Sequence, residues 1–311
     1  MAVGIGASGI MGVALETVPG TYLAPTKFFP FRSETLMYRE DKVVRRPIRN
    51  SADVIGLVPG NTRVEGDVDV EALSDVVPYF HHCSRATVVK TGAVAPFTYA
   101  YTPSSAATPP NKTMSITIVR NGVVFGYSGV VVTSFRYTLD NAMLVSTFSM
   151  VGRDEAVQTL PVAVWPTTTP FSAGMYSIEI PTGVPVLDTD MFTFAVDDNG
   201  SPAYRLRSGG RGAAFIVYGE RNATFQVERD FQDRTDYDAF KVSTAQSITL
   251  SVTKSAAESI TLLMPVAVKQ TYEVALGGQA NLVRATIHYV GTPNAAGAGY
   301  TLTVVSAESI T

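Results

Sequence analysis

The chain has 311 residues and a formal net charge of −3, which excludes a generally basic, DNA-coating protein. Charged residues make up only 16%, against roughly 25% in a typical soluble domain, so much of the surface reads as interface rather than as wetted face; an ordinary β-rich surface of Thr, Ser and Gly is the other reading. A single cysteine, Cys83, excludes an intrachain disulfide and fits folding in a reducing cytoplasm.

The chain opens on MAVGIGASGIMGVALETVPG, which lacks a positively charged start and is broken by Gly and Glu16, a poor signal peptide. Its Gly4, Gly6 and Gly9 match a GxGxxG pattern, but that motif needs a strand before it and a helix after it. A flexible arm is expected instead, unordered before assembly because glycines without periodicity offer little to bury. No run approaches the ~18 to 20 apolar residues of a membrane helix.

Residues 39–61, REDKVVRRPIRNSADVIGLVPGN, form a long mixed-charge connection punctuated by Pro and Gly. Connections of this length tend to be functional or disordered. Arg45, Arg46 and Arg49 could pair with acids of a neighbouring subunit. Nucleic-acid contact is the rival reading.

The connection leads into TRVEGDVDVEAL, residues 62–73, where Glu65, Asp67, Asp69 and Glu71 alternate with Val64, Gly66, Val68 and Val70. In a strand, one face would be apolar and the other purely acidic. Carboxylates two residues apart sit roughly 7 Å apart and repel by only about 0.6 kcal/mol in water, less with a Debye length of ~8 Å. In a dry core the same face would be prohibitive, so it must be wet. An ordinary solvent face mixes Thr, Lys, Arg and Glu; four acids in succession suggest a surface selected against binding a polyanion.

Helical signals are few. Ser74–Cys83 reads as a short helix capped by Ser74 and kinked by Pro78, and Asp233–Lys241 as a second. His81, His82 and Cys83 match no zinc spacing, since neighbours on a helix point apart; a helix end with polar tips is expected. β-signals dominate the remainder, with Asn121-Gly122 as a hairpin turn and DDNG at 197–200 as a simple turn, too short for a calcium loop. Five prolines between Pro161 and Pro185 mark a semi-rigid linker. No phosphate loop, GxSxG or catalytic carboxylate pair is evident, and no cofactor or metal is expected.

The two sides of that linker look alike. MLVSTFSMVG (143–152) aligns without gaps on LVRATIHYVG (282–291), SITI at Ser115 on SITL at Ser247, and VEALSDVVPYF on VERDFQDRTDYDAF. Each half reads as an acidic strand, a short helix, a hairpin and a closing strand. In the second half Phe225, Val227 and Phe231 alternate with Gln226, Glu228 and Asp230, a weaker acidic face.

Residues 12–36, 45–73 and 225–240 resemble the major tail tube proteins of long-tailed bacteriophages, most clearly over the first 80 residues. The resemblance implies a mainly β fold whose barrel-forming strands pool into an oligomeric β-barrel; the duplication, a departure from the family's single-domain subunits, makes it two tandem β-sandwich tube domains, each with a short helix. The expected divisions are an N-terminal arm (1–32), a first tube domain (33–160), the Pro-rich linker (161–186) and a second tube domain (187–311). It further implies stacked rings with an acidic channel for genome ejection, in a virion tail assembled in the host cytoplasm. Glu65, Asp67, Asp69, Glu71, Glu228 and Asp230 would line the channel. Arg45, Arg46, Arg49 and Asp53 would make ring-to-ring contacts, as would Ile5, Ile10, Met11 and Tyr22 of the arm. Partners would be further copies of the chain, tape-measure, terminator and tip proteins, and DNA passing without specific binding, with no membrane. Family rings are commonly six-fold; a duplicated chain implies three chains with pseudo-sixfold symmetry, a hexamer being the alternative. A carbohydrate-binding or adhesive β-sandwich of a tail fibre or tip is the rival from another class, although the single Trp165 lies in the linker. A β-sandwich hydrolase is the third reading.

Overall fold

The computed structural model describes residues 8–48, 53–104, 112–159, 161–205, 210–276, 282–295 and 297–310. The fold is mainly β, and most of its strands join one continuous antiparallel sheet. The first half contains β1 (Ile10–Leu15), β2 (Lys27–Phe28), β3 (Phe31–Glu34), β4 (Met37–Glu40), β5 (Val43–Arg45), β6 (Gly56–Val58) and β7 (Thr62–Glu71). Helix α1 (Val77–His82) follows, then β8 (Ala86–Thr91), β9 (Phe97–Pro103), β10 (Met114–Arg120), β11 (Val123–Asp140), β12 (Met143–Gly152) and β13 (Asp154–Val157). The second half runs through β14 (Tyr176–Glu179), β15 (Thr189–Asp197), β16 (Ser201–Ala203), β17 (Phe215–Val217) and β18 (Asn222–Asp230). Helix α2 (Thr235–Lys241), β19 (Ala245–Ser255), β20 (Glu258–Ala275), β21 (Arg284–Gly291) and β22 (Thr301–Ser306) complete it.

Two strands organise the molecule. β11 and β20 are each 18 residues long, against a usual strand of about 5–6, and each serves two sets of partners. Their first parts pair with β10 and β13, or with β19 and β22. Their last parts pair with β12 and β15, or with β21. A β-bulge lies between Val132 and Ser134 in β11 and between Lys269 and Thr271 in β20. Such an extra residue bends a strand and increases its twist.

The pairing of one half repeats in the other. β7 pairs with β12 and β12 with β11; β18 pairs with β21 and β21 with β20. β3 and β4 flank β7 as β15 flanks β18, and a second matching bulge falls at Arg32 and at Asp190. SITI lies in β10 and SITL in β19, both against the first part of a long strand. The halves meet where β15 pairs with β11, giving one arc in the order β3/β4, β7, β12, β11, β15, β18, β21, β20. Behind it, β22 pairs with β9 of the first half. One hydrophobic cluster runs through both halves, including Phe80, Phe148, Tyr137, Phe194, Tyr289 and Leu302.

Gly66 allows the closest approach in the arc. A Cβ there would lie 2.5 Å from the Thr35 carbonyl oxygen and 2.6 Å from the Leu36 nitrogen, so only glycine lets the chain cross β7 between β3 and β4.

Several expectations are corrected. The glycine-rich start is not a loose arm from Ile10 onward: IMGVAL forms β1, fully paired with β10, with Met11 and Val13 completely buried. An apolar run covered on both faces carries no alternation to reveal it. Ser74 does not cap α1. The helix starts after Val76, which makes no side-chain cap, and Ser74 is buried. Residues 173–179 of the expected linker fold as a 3-10 turn and β14, paired along β19.

His81 and His82 are not polar tips but are buried among aromatic rings. His81 Nε2 lies 2.6 Å from the Tyr137 hydroxyl, and His82 Nδ1 2.7 Å from the Pro78 carbonyl. Burial pushes His81 down to about 3 and lowers His82 as well. The unfolded chain therefore binds protons here below pH 6.5 while the folded chain stays neutral, so the contribution is full above that pH and is lost towards pH 3. Urea unfolding of the free subunit should show stability falling by about 1.4 kcal/mol for His81 alone with each pH unit below 6.5. His81→Gln should remove that share of the slope; an identical pH profile for the two proteins contradicts the assignment.

Candidate functional site

The acidic alternation of β7 is realised in the structure. Val64, Val68 and Val70 are completely buried, while Asp67 is exposed and Glu65, Asp69 and Glu71 are half-buried on the opposite face. Pairing on both sides fixes this, because a one-residue slip would invert every side chain. Asp67, Asp69 and Glu71 stand opposite Ser149, Thr147 and Val145 of β12. Directly opposed residues share a face, so the row Asp69, Thr147, Arg136, Ala195, Thr224 continues this face across the arc into the second half. Glu228 and Asp230 lie on the same side of β18, at the positions where β7 has Asp69 and Glu71. Two grooves open along this face, one lined among others by Asp69, Arg136, Thr138 and Thr193, the other by Asp67, Ser149 and Asp197.

The carboxylates fall into two groups. Glu65 is held by two cations, with Arg63 Nε at 2.6 Å and Arg39 Nε at 3.0 Å. Its carboxylate and that of Asp41 hold the Arg63 guanidinium above its ordinary range. Glu228 is 3.3 Å from Arg284, which also bridges to Asp190. By contrast, Asp67, Asp69 and Glu71 make no salt bridge among the described residues; Asp69 accepts a hydrogen bond from Ser33 Oγ at 2.6 Å. The expected purely acidic face is corrected: the strand period places Arg63 on it beside Glu65, and Arg32, Arg39 and Arg136, which the sequence did not reveal, join it from other strands. Arg32 pairs with Asp140 at 2.6 Å, while Arg136 is exposed between the two grooves with no salt bridge among the described residues. Its place was readable only once β11 was known to be next to β12.

The connection before β7 is a projecting two-stranded hairpin rather than an irregular loop. β5 pairs with β6 and, among the described residues, joins no other strand. Arg45, Arg46 and Asp53 are exposed on it, and Arg49 lies outside the described residues. Its apolar side chains face solvent too: Val43 is 58% exposed, Ile48 fully, Val54 49% and Leu57 60%. Apolar side chains grouped on a projection mark an interaction surface.

The second half carries a matching hairpin that sequence comparison missed, β16–β17, between β15 and β18. That one folds back on its own chain. The Arg211 carbonyl accepts from the Thr62 backbone N–H at 3.0 Å, and the Arg211 guanidinium pairs with Glu40.

The arm residues divide. Ile10 is half-buried in β1, Met11 is core, and the Tyr22 hydroxyl is 2.6 Å from Thr117 Oγ1; Ile5 lies outside the described residues. The DDNG turn holds no cation site: Asp198 is buried against Arg221 at 2.6 Å. No trio of metal-ligating side chains occurs among the described residues, and none of their helices is long and apolar enough to cross a membrane.

A broad acidic face with two grooves along it, a hairpin carrying exposed apolar side chains and a sheet that ends in strands without outer partners among the described residues are the features of a structural subunit. The family of phage tail tube proteins matches residues 6–305, nearly the whole chain, and the chain belongs to that family. No curated protein matches it significantly. The chain is thus a structural component of a phage tail, built into a tube with other tail proteins.

Proposed function

We propose that three copies of this chain form a ring with pseudo-sixfold symmetry, that rings stack into a hollow tube, and that the acidic face lines the channel through which DNA leaves the virion. The observation that carries this reading is the repeated four-strand arc. One chain supplies β3/β4, β7, β12 and β11, then β15, β18, β21 and β20 in the same order with bulges at the same places. A hexamer of such chains would double the wall. Closing the arc removes both of its open edges, which otherwise invite uncontrolled pairing.

Lining the channel, Glu65, Asp67, Asp69, Glu71, Glu228 and Asp230 keep DNA mobile. Phosphates bind where cations release their counterions, and here Arg32, Arg39, Arg63 and Arg284 are each already engaged by a carboxylate, so that of the arginines named on this face Arg136 alone has no salt bridge among the described residues. The β5–β6 hairpin, with Arg45, Arg46 and Asp53, reaches the adjacent ring, together with the exposed surface beside Ile10 and Tyr22. Tape-measure, terminator and tip proteins complete the tail, assembled in the host cytoplasm, where buried Cys83 stays reduced.

Electron microscopy of the purified protein at high concentration is the test. Hollow tubes with three-fold symmetry down the axis are expected. Six identical subunits per ring would replace the trimer by a hexamer, and a uniformly monomeric protein at every concentration and salt would sink the tube-wall reading.

A further inference from the structure

The arc ends on two different edges. At one end, β21 covers one edge of β20 over Thr271–Ala275, and no described strand covers the other. At the opposite end, β4 pairs with β7 along one edge only. Inside the chain, two edges of these same kinds already meet: the last part of β11 pairs with β15, setting Ser134 opposite Asp197, Phe135 opposite Val196 and Arg136 opposite Ala195. The repeat supplies the correspondence. Through their partners on β12 and β21, Ser134, Phe135 and Arg136 match Thr271, Tyr272 and Glu273, with Thr133 and Gln270 as the matching bulge residues. Through β7 and β18, Ala195, Val196 and Asp197 match Met37, Tyr38 and Arg39.

We propose that a second copy of this chain adds its β4 to the outer edge of β20 in the register of the β11–β15 joint, placing Thr271 opposite Arg39, Tyr272 opposite Tyr38 and Glu273 opposite Met37. This rests on the ring reading above and specifies its seam. The backbone is arranged for it. The N–H groups of Thr35 and Asp41 turn inward to the Asp67 and Asn61 carbonyls, so by alternation the main-chain groups of Tyr38 and Glu40 point outward. In the internal joint the Asp198 N–H donates to the Thr133 carbonyl at 2.9 Å; the corresponding pair across the seam is Glu40 N–H to the Gln270 carbonyl. The ladder stops at Leu36, whose carbonyl is already taken by Arg120 and Tyr127. The side chains agree with the register. Glu273 and Arg39 are both exposed and become diagonal neighbours of opposite charge, and Met37, 40% exposed, gains cover.

Glu273 and Met37 form a non-hydrogen-bonded pair in this seam, with Cα atoms about 4.5 Å apart, within the ~4.4–6.8 Å that a disulfide spans. The experiment is oxidation of assembled Glu273→Cys/Met37→Cys protein, followed by a denaturing gel. The native Cys83 is buried and does not interfere. A covalent ladder of two and three chains, ending at three, is expected. Mixing chains that carry only one substitution each should give dimers alone, and this mixture keeps the test decisive if the double variant assembles poorly. Glu273→Cys with Thr35→Cys, two residues out of register, should remain uncrosslinked. Rings visible by microscopy without the 273–37 link, or a stronger link in the shifted pair, would overturn the seam. A ladder passing three chains would overturn three-chain closure. Absence of rings from the unmodified protein would count against the ring itself, a failure distinct from that of the seam.

Discussion

Replacing Asp67, Asp69 and Glu71 together by lysine should leave assembly intact and arrest the genome in transit. All three side chains lie on the wetted side of β7 and none makes a salt bridge among the described residues, so their loss costs the fold little, within about 1 kcal/mol each for surface positions. The face proposed as the channel wall, however, changes from repelling phosphate to binding it. Three phosphates neutralised per chain would give binding that falls with salt at a log–log slope of about −3, multiplied along a tube of many rings. Particles carrying the variant should release only part of their genome after triggering in low salt, with release restored as salt is raised. Asp67→Asn with Asp69→Asn should give a milder defect in the same direction. Complete, unslowed release from the lysine variant in low salt would place this face elsewhere than the channel.

Excising the hairpin should separate folding from stacking. Replacing residues 43–58 by a short Gly/Ser turn removes β5 and β6, no described residue of which is buried, so the free subunit should unfold within a few degrees of the parent. Long tubes should disappear and leave rings or free subunits. Burying Val43, Ile48, Val54 and Leu57 against a neighbouring ring would contribute about 6 kcal/mol before ordering costs are subtracted, so the loss amounts to at most roughly 10⁴ in the association constant per contact. Sedimentation and negative-stain microscopy read the outcome directly. Tubes of normal length from the shortened chain would show that this projection does not hold rings together.

What could be read from residue order alone followed from period and punctuation. The acid and valine alternation of β7 has the strand period of two and needed no tertiary knowledge. Asn121-Gly122 sits at the β10–β11 turn with φ of 50° and 78°, as that dipeptide in a two-residue hairpin dictates. The resemblance of 143–152 to 282–291 corresponds to β12 and β21, which occupy the same place in the two arcs.

What stayed hidden depends on neighbours remote in sequence. Arg136 faces the acids only because β11 lies beside β12, and Arg39 reaches Glu65 from β4, whereas Arg63, two residues from Glu65 on β7, follows from the strand period itself. β1 and β14 hold Gly- and Pro-rich stretches in order by pairing with β10 and β19. His81 looks like a surface ligand in a string and becomes a core residue once Phe135, Tyr137 and Phe148 close around it. The hairpin at 43–58 was hidden for the opposite reason: its valines and leucine resemble core residues, yet among the described residues it pairs with no other strand.

The internal joint between β11 and β15 has a kinetic meaning. It forms within one chain and is reinforced by Arg221, which binds Asp198 and the carbonyls of Arg85 and Ser104. Half of the joints of a three-chain ring are therefore completed by first-order folding, at an effective concentration no diffusing partner can match. Only three seams between molecules remain in such a ring, made in two encounters, because the third seam closes within the assembled trimer. Nucleation of such a ring depends on about the third power of subunit concentration, where six separate single-repeat chains would give about the sixth, so assembly can begin while the protein is still dilute.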